Sequence, residues 1–377
     1  MYSIKKLLAL ILISLFIMLS AIAVSASDTA VSAGQSNKEG LTFDFDSRSY
    51  FYNLEYMGIP QREGETWFGD NLRLLLQKKQ NKGITYTVGL YVASLFGEDQ
   101  FFYPFAPVLT FNFAPSDDFY FTIGTLDRRK HALMDALFDE TLEYSRVVSD
   151  WADRFRSVPL SNFVEYPRPL DNGVDIYFAY LKPLTLQLWG NWQYLNEVFD
   201  SSNFNAHTDN YDVGAIVLAD FKSTVGIVLN GQWHYIHRYG VLNNQAVIQG
   251  DHAFDAGLSY IPSFIPKTMI SANFLASIAQ VYNTTQELLG TGQEFKLDYD
   301  LYGWKLFTIY WMGQDFYAED GNPLYQAVDF WNFGFTKNID IIDGVNIAFG
   351  LTIYYINNKF THSEKVYINF DKIFNLL

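Results

Sequence analysis

The sequence predicts an all-β transmembrane barrel of about sixteen antiparallel strands, and three features of the chain indicate this fold. Short segments alternate between apolar and polar residues along most of the chain. Many of these segments reach about ten residues, the length that a tilted strand needs to cross a membrane. Aromatic residues make up 18% of the chain, as expected where aromatic girdles lie at both water–lipid interfaces.

The N-terminal segment has the pattern of a secretory signal peptide. Lys5 and Lys6 precede an apolar run from Leu7 to Val24, and Ser25 and Ala26 supply small residues for cleavage. We therefore expect residues 1–26 to be a cleaved signal peptide, with an uncleaved anchor helix as the alternative. Residues 27–40 would then form a short periplasmic leader, and residues 41–377 the transmembrane barrel.

Composition excludes several classes of function. The chain carries 41 acidic and 26 basic residues, for a net charge of −15. This balance argues against nucleic acid as a partner, because binding phosphates requires clustered Lys and Arg. There is no cysteine, so disulfides and thiolate metal sites are excluded. No His/Asp/Glu group shows metal-ligand spacing, and we expect no metal and no cofactor.

The alternation is clearest at residues 345–355. Val345, Ile347 and Phe349 share one parity, whereas Asn346 and Ala348 share the other. Successive side chains of a strand point to opposite faces, so this segment has one apolar face and one polar or small face. A soluble sandwich would show the same alternation, but its strands are usually about five or six residues long. Strand length therefore favours the barrel.

The predicted strands are connected by links of two kinds. The sixteen candidates are 41–55, 67–79, 83–95, 107–114, 119–126, 172–181, 184–195, 211–219, 223–235, 251–261, 269–279, 293–301, 305–316, 326–337, 345–356 and 363–375. Links after even-numbered strands are tight, whereas most of those after odd-numbered strands are longer and polar. Short periplasmic turns with long extracellular loops are typical of outer-membrane barrels.

The last strand supports a family resemblance. Val366, Ile368, Phe370 and Phe374 share one parity, as in the C-terminal strand of bacterial porins, although Lys372 interrupts this face. In general plan the whole mature chain resembles the bacterial outer-membrane porin superfamily. The resemblance implies an outer-membrane location, with the lipid bilayer, the barrel assembly machinery and small hydrophilic solutes as partners. It also makes a homotrimer one option for the assembly.

The third long loop, residues 127–171, is exceptional in length. Its apolar spacing indicates helical stretches. In porins this loop folds into the barrel and narrows the pore, and the resemblance implies the same here. The predicted constriction residues are basic: Arg128, Arg129, Lys130, His131, Arg146, Arg154, Arg156 and Arg168. They would attract anions, or they would pair with acidic residues of the same loop such as Asp135 and Asp139.

Alternation also assigns residues to the wall of the lumen. The charged or titratable members are Arg73, Asp212, His234, Asp255, Lys296, Asp298 and Asp300. Aromatic residues on the inward parity are Tyr91, Tyr177, Trp189, Tyr310 and Tyr354, for which wall packing is favoured over sugar binding. We expect His234 to be a hydrogen-bonded wall residue rather than a metal ligand. Anion and cation selectivity both remain open.

The function expected from the sequence is a channel for passive diffusion of small polar or charged solutes. The alternatives are an export channel for an acidic polysaccharide and a barrel whose loops serve adhesion or structure. The chain has six histidines, and none accompanies a nucleophile motif of the kind that hydrolases need. The sequence therefore predicts no catalytic residue and no enzymatic activity.

Overall fold

A computed structural model gives the architecture of the barrel. It describes residues 40–55, 65–80, 83–95, 105–127, 133–134, 136–137, 147–148, 164–165, 170–201, 204–242, 245–280, 287–318 and 321–376. The predicted signal peptide and all but the last residue of the predicted leader lie outside this part of the chain. Within it, no helix has the length and apolar character needed to cross a membrane.

Sixteen strands form one closed antiparallel barrel. They are β1 (Gly40–Leu54), β2 (Glu65–Gln80), β3 (Ile84–Leu95), β4 (Phe105–Ser116), β5 (Phe119–Asp127), β8 (Leu170–Phe178), β9 (Leu184–Ser201), β10 (Phe204–Phe221), β11 (Ile227–Leu242), β12 (Gln245–Tyr260), β13 (Thr268–Gln280), β14 (Glu287–Leu301), β15 (Trp304–Gln314), β16 (Asp329–Ile342), β17 (Val345–Ile356) and β18 (Lys359–Asn375). Every strand predicted from the sequence has its counterpart here, and the predicted fold class is confirmed.

Among the described residues, four small elements lie outside the barrel sheet. β6 (Val147–Val148) and β7 (Val164–Glu165) pair with each other within the third long loop. The helix α1 (Lys222–Val225) occupies the turn between β10 and β11. A 3-10 turn (Pro323–Gln326) follows β15, with the side chain of Asn322 accepting a hydrogen bond from the backbone N–H of Leu324.

The barrel closes where the first strand meets the last. β1 pairs with β18 from Thr42 opposite Asn375 to Leu54 opposite Ser363. On its other edge β1 pairs with β2 over its whole length, and β5 pairs directly with β8. Each edge of the sheet therefore has a partner, which satisfies the backbone groups that hydrocarbon cannot hydrogen-bond.

The two faces of the wall differ as alternation predicts. Outward apolar side chains such as Leu109 are strongly exposed (69%), whereas Trp189 on the inward face is 3% exposed. Tyr310 was predicted to face the lumen, and this prediction is wrong. In β15 it lies beside Phe295 and Trp331 on the outward face. Its side chain is 41% exposed. The outward face thus presents apolar residues to lipid.

The two rims are less different than the sequence predicts. Tight turns on the short-loop rim include Gly303 and Gly344, both with positive φ, which only glycine adopts without strain. On the opposite rim, the predicted long loops 196–210 and 236–250 are largely continuations of strands. β9 and β10 are joined by residues 202–203, and β11 and β12 by residues 243–244. Residues such as Val241 favour strand there.

Candidate functional site

The inner wall holds a series of buried polar clusters. Asp212 is the centre of one cluster and is 1% exposed. Its carboxylate accepts hydrogen bonds from Trp189 Nε1 (3.2 Å) and Asn191 Nδ2 (3.1 Å), and it lies 3.4 Å from His234 Nε2. Gly214 makes room for the indole, since a Cβ there would lie 2.0 Å from Trp189 Cζ2. These hydrogen bonds and this close packing indicate that the cluster stabilises the barrel wall.

A second inner cluster joins strands β11 to β14. Asp255 accepts a hydrogen bond from Asn230, and Glu294 accepts from Asn273 Nδ2 at 3.1 Å. The hydroxyl of Tyr325 also donates to Glu294. This last bond ties the segment after β15 to the barrel wall.

The remaining predicted wall residues lie at different heights. Lys296 and Asp298 form an ion pair at 3.4 Å. Asp300 lies at the short-loop rim, where it accepts a hydrogen bond from the backbone N–H of Gly303 at 3.2 Å. Arg73 pairs with Asp46 at 2.7 Å on the far side of the barrel. The predicted wall residues are therefore spread around the barrel and do not form one site.

An apolar cluster narrows the inside of the barrel near the long-loop rim. Trp311 and Leu275, both 0% exposed, pack there with Leu137 of the third long loop. The backbone N–H of Met134 donates to the inward side chain of Gln232 at 2.9 Å. Residues 133–134 and 136–137 of the third loop therefore lie against the inner wall.

The predicted constriction residues are not among the described residues of the third loop. Arg128, Arg129, Lys130, His131, Arg146, Arg154, Arg156 and Arg168 lie outside the described residues, as do the predicted helical stretches of the loop. In the part of the chain that the structure covers, no group of three or more His, Asp or Glu residues is placed to hold a metal ion.

The outer wall carries a polar cluster that the sequence reasoning missed. Ser49 Oγ donates to Asp70 Oδ1 at 3.0 Å, and Ser47 Oγ donates to the same oxygen at 3.4 Å. On the other side of β2, Ser94 Oγ donates to the backbone carbonyl of Asp70 at 3.4 Å. The strand pairing places all four residues on the outward parity. We call Ser47, Ser49, Asp70 and Ser94 the outer polar cluster.

The neighbours of Asp70 make its position unusual. The outward residues on either side of it along β2 are Phe68 and Leu72, followed by Leu74 and Leu76. Phe68 is 42% exposed and Leu76 37% exposed. The signal was therefore present in the sequence, as one carboxylate among the apolar outward residues between Phe68 and Leu76.

A second group of polar side chains faces outward on strands β10 to β12. The ring of Tyr211 stacks on His237 with centroids 4.7 Å apart, and Tyr235 stacks on His252 at 4.4 Å. Trp233 Nε1 also donates to His252 Nδ1 at 3.3 Å. Rings with a polar edge are typical of the aromatic girdle at a membrane interface. This group therefore has a structural explanation, whereas the outer polar cluster has none of that kind.

The closed sixteen-strand wall, apolar outside and polar inside, defines an outer-membrane β-barrel protein. Two solved structures resemble it. One is OmpTdeltaL8, a loop-deletion mutant of an outer-membrane protein of Vibrio cholerae (8% identity, TM-score 0.52). The other is an anion-selective porin from Comamonas acidovorans (9% identity, TM-score 0.51). Each alignment covers 89% of this chain and 99% of the other, and the likeness is one of fold.

The family is narrower than the fold. A family model described as Lipid A 3'-O-deacylase-type matches residues 33–377. The chain belongs to this family. No curated protein matches the sequence.

Membership of this family corrects one expectation. The sequence reasoning predicted no enzymatic activity, because the histidines lacked a nucleophile motif. That prediction is wrong, since the family is named for an enzyme and the match spans every strand of the barrel. The sequence alone did not indicate the activity, because a barrel wall brings side chains together from neighbouring strands and leaves no linear motif.

Proposed function

We propose that the protein is an outer-membrane hydrolase that releases an ester-linked acyl chain from lipid A. The observation that carries the proposal is the family match, which runs from residue 33 through the last strand. The match includes the whole barrel and is not confined to a loop or a terminal segment. The proposed activity therefore belongs to the barrel itself.

The fold limits where such a reaction takes place. A lipid substrate approaches a barrel from within the membrane, so its acyl ester first meets the outward face of the wall. Lipid A lies in the outer leaflet, with its acyl esters below the headgroups. The relevant surface is the outward face near the long-loop rim, where both outward polar groups lie.

A direct assay tests this proposal. The purified protein, refolded in detergent, would be incubated with lipid A, and the lipid products analysed by mass spectrometry. We expect loss of one acyl chain from lipid A and release of the matching fatty acid. Phospholipid in the same micelles and heat-unfolded protein serve as controls. Lipid A that remains intact in the presence of the folded barrel would overturn the proposal.

A second candidate function is a passive channel for small polar or charged solutes. The observation that favours it is the polar inner wall, with ion pairs such as Arg73–Asp46 and Lys296–Asp298. Sixteen strands are also enough to enclose an aqueous lumen. Conductance in a planar bilayer, with reversal potentials in a salt gradient, tests both the pore and its charge selectivity. A homotrimer would appear as conductance steps in groups of three.

The proposal includes the route to the membrane. Residues 1–26 would direct export and be removed, and the assembly machinery would insert the barrel. The intact mass of the protein purified from outer membranes tests the cleavage. A mass that still includes residues 1–26 would contradict it.

A further inference from the structure

The backbone pairing between β4 and β5 stops partway along the two strands. Counted from the short-loop rim, the ladder ends at Thr110 opposite Gly124. Beyond that point, residues 107–109 pair with β3, and residues 125–127 pair with β8. No ladder pair joins these two stretches to each other, and the structure describes the backbone of both. We call residues 107–109 and 125–127 the β4–β5 seam.

Side-chain hydroxyls provide the hydrogen bonds of the seam. The backbone N–H of Leu109 donates to Thr125 Oγ1 at 3.0 Å, and Thr110 Oγ1 donates to the backbone carbonyl of Thr125 at 2.7 Å. Pro107 is two positions from Leu109, so its nitrogen also faces β5, and it has no N–H that needs an acceptor. Unsatisfied backbone groups are costly in a membrane, and Thr side chains can satisfy them. These residues therefore allow the seam to lack a backbone ladder.

Gly124 lies at the end of the ladder. Its φ is 114°, a conformation that favours glycine. A Cβ at this position would lie 2.1 Å from the carbonyl oxygen of Leu109. The sequence therefore places a glycine where the backbone departs from regular strand geometry and the pairing ends.

An apolar groove reaches the seam from the outward face. Its wall includes Leu76, Val88 and Ile123, and it extends to Leu109 and Gly124 at the seam. Val88 is 54% exposed and Leu109 69% exposed, so the groove is open to the surrounding lipid. The groove therefore connects the membrane with the β4–β5 seam.

An apolar cluster lies on the inward side of the same stretch of wall. Tyr91 and Val108 pack there with Leu75 and Ala93, and all four side chains are buried. Val108 belongs to the seam itself, and Leu126 is the buried inward residue on the other strand of the seam. An apolar chain that crosses the wall at the seam would therefore meet apolar side chains on both sides.

Lys78 lines the groove at its short-loop end. It is exposed and lies two residues before the end of β2. Because short turns face the periplasm, its ammonium group lies at the level of lipid phosphates in the periplasmic leaflet. Leu109 is one outward position further along and two strands across, through Leu76 and Val88. These steps amount to about 12 Å along the wall. The groove thus runs from a cation near the headgroups to the seam.

We propose that the β4–β5 seam is a lateral opening for an acyl chain of a phospholipid from the periplasmic leaflet. The phosphate contacts Lys78, and the chain follows the groove. Its end passes between Leu109 and Thr125 to the apolar cluster inside the barrel. This binding involves no covalent step. It goes beyond the proposed hydrolysis of lipid A and does not depend on it.

Photolabelling of the full-length barrel tests the opening. The protein would be folded in phosphatidylcholine vesicles that contain phosphatidylglycerol with a diazirine at the end of one acyl chain. After irradiation, mass spectrometry would locate the labelled residues. We expect adducts on the outward Val88 and also on the inward Tyr91. Lys78→Gln should reduce both, whereas Lys372→Gln, at an outward lysine near the same rim, should reduce neither. Labels confined to outward residues would overturn the proposal.

A disulfide across the seam tests the route of the chain. The protein has no cysteine, so Leu109→Cys with Thr125→Cys introduces its only two thiols. Oxidation of this pair should abolish the Tyr91 adduct, and dithiothreitol should restore it. The control is Phe113→Cys with Phe121→Cys, at positions opposite each other on the same two strands. Its oxidation should leave the labelling unchanged. A Tyr91 adduct that survives the disulfide across the seam would overturn the proposed route. Intact mass verifies each disulfide, and heat-modifiable migration in gels verifies folding.

The label measures binding and not turnover, so the lateral opening and the proposed function can fail separately. A barrel that leaves lipid A intact but is labelled at Tyr91 would contradict the proposed function alone. A barrel that deacylates lipid A but is labelled only on outward residues would contradict the lateral opening alone.

Discussion

Two carboxylates on opposite faces of the same wall have different surroundings. Asp212 faces inward and is held by Trp189, Asn191 and His234. Asp70 faces outward, and its carboxylate accepts hydrogen bonds from the hydroxyls of Ser49 and Ser47. Donors on rigid aromatic and amide groups fix Asp212 in place. Asp70 is instead held by two serine hydroxyls on the face of the wall that meets lipid. Asp212 therefore belongs to the packed inner wall, whereas Asp70 is an ionisable group on the lipid-facing side of the wall.

The largest expected difference between the two is in stability. Asp212→Ala leaves buried donors of Trp189, Asn191 and His234 without their acceptor, and we expect a loss of about 2–4 kcal/mol in the free energy of unfolding. Asp70→Ala should change this free energy by less than about 1 kcal/mol, because relief from placing a carboxylate in lipid offsets the lost hydrogen bonds. Urea unfolding in lipid vesicles, followed by tryptophan fluorescence, measures both. Equal losses would remove the distinction between the two carboxylates.

A glycine pair tests whether the Asp212 cluster is tightly packed. Gly214→Ala would place a Cβ 2.0 Å from Trp189 Cζ2, so the indole must move. We expect a loss of about 1–3 kcal/mol in the free energy of unfolding. Gly231→Ala is the matched control on β11, since its Cβ would meet no atom within 4 Å. This control should be neutral or stabilise by up to about 1 kcal/mol. Urea unfolding measures both variants. If Gly214→Ala left the free energy of unfolding unchanged, the Asp212 cluster would not be tightly packed.

A smaller effect on the free energy of unfolding is expected from a substitution at the contact between the inner wall and the segment after β15. Tyr325→Phe removes the hydroxyl that donates to Glu294 and leaves the ring in place. We expect a loss of about 0.5–2 kcal/mol in the free energy of unfolding. Hydrogen exchange of the backbone amides at residues 323–327 should increase as well. Unchanged exchange there would mean that ring packing alone holds the segment.

The smallest effect on the free energy of unfolding is expected from a substitution on the outward face near the short-loop rim. Lys372 lies on the apolar parity of β18, and its Nζ bonds Asp343 of the adjoining turn at 2.5 Å. Because Asp343 is 89% exposed, we expect Lys372→Ala to change the free energy of unfolding by less than about 0.5 kcal/mol. Urea unfolding again measures this value. A loss above about 1 kcal/mol would show that exposed polar pairs stabilise the outer wall, and Asp70→Ala would then be expected to cost stability as well.

The fold was predictable because alternation is a local property of the chain. The apolar parity at 345–355 identifies both the strand and its outward face, and the barrel arrangement confirms it. Strand ends were harder to predict, since whether residues such as 236–242 continue a strand depends on pairing with a neighbouring strand. Tyr310 was assigned to the wrong face because the predicted span of β15 did not fix its register.

The outer polar cluster was less predictable than the fold. Ser49 and Asp70 are separated by a turn and come together only when β1 and β2 pair, with these two residues opposite each other. Neither residue belongs to a linear motif. Inward residues such as Asp212 could be selected from parity, but their mutual contacts depend on the register between strands.

Closure of the barrel by β1 and β18 has a kinetic consequence. Arg48 Nε bonds Asn369 Oδ1 across this junction at 2.8 Å, although 321 positions separate the two residues in the chain. Joining such distant segments has a high entropic cost and gives the fold a high contact order, which slows its formation. Until both segments are in place, the first and last strands each present an open edge able to pair with another chain. Pairing of β1 with β18 therefore removes two open edges at once.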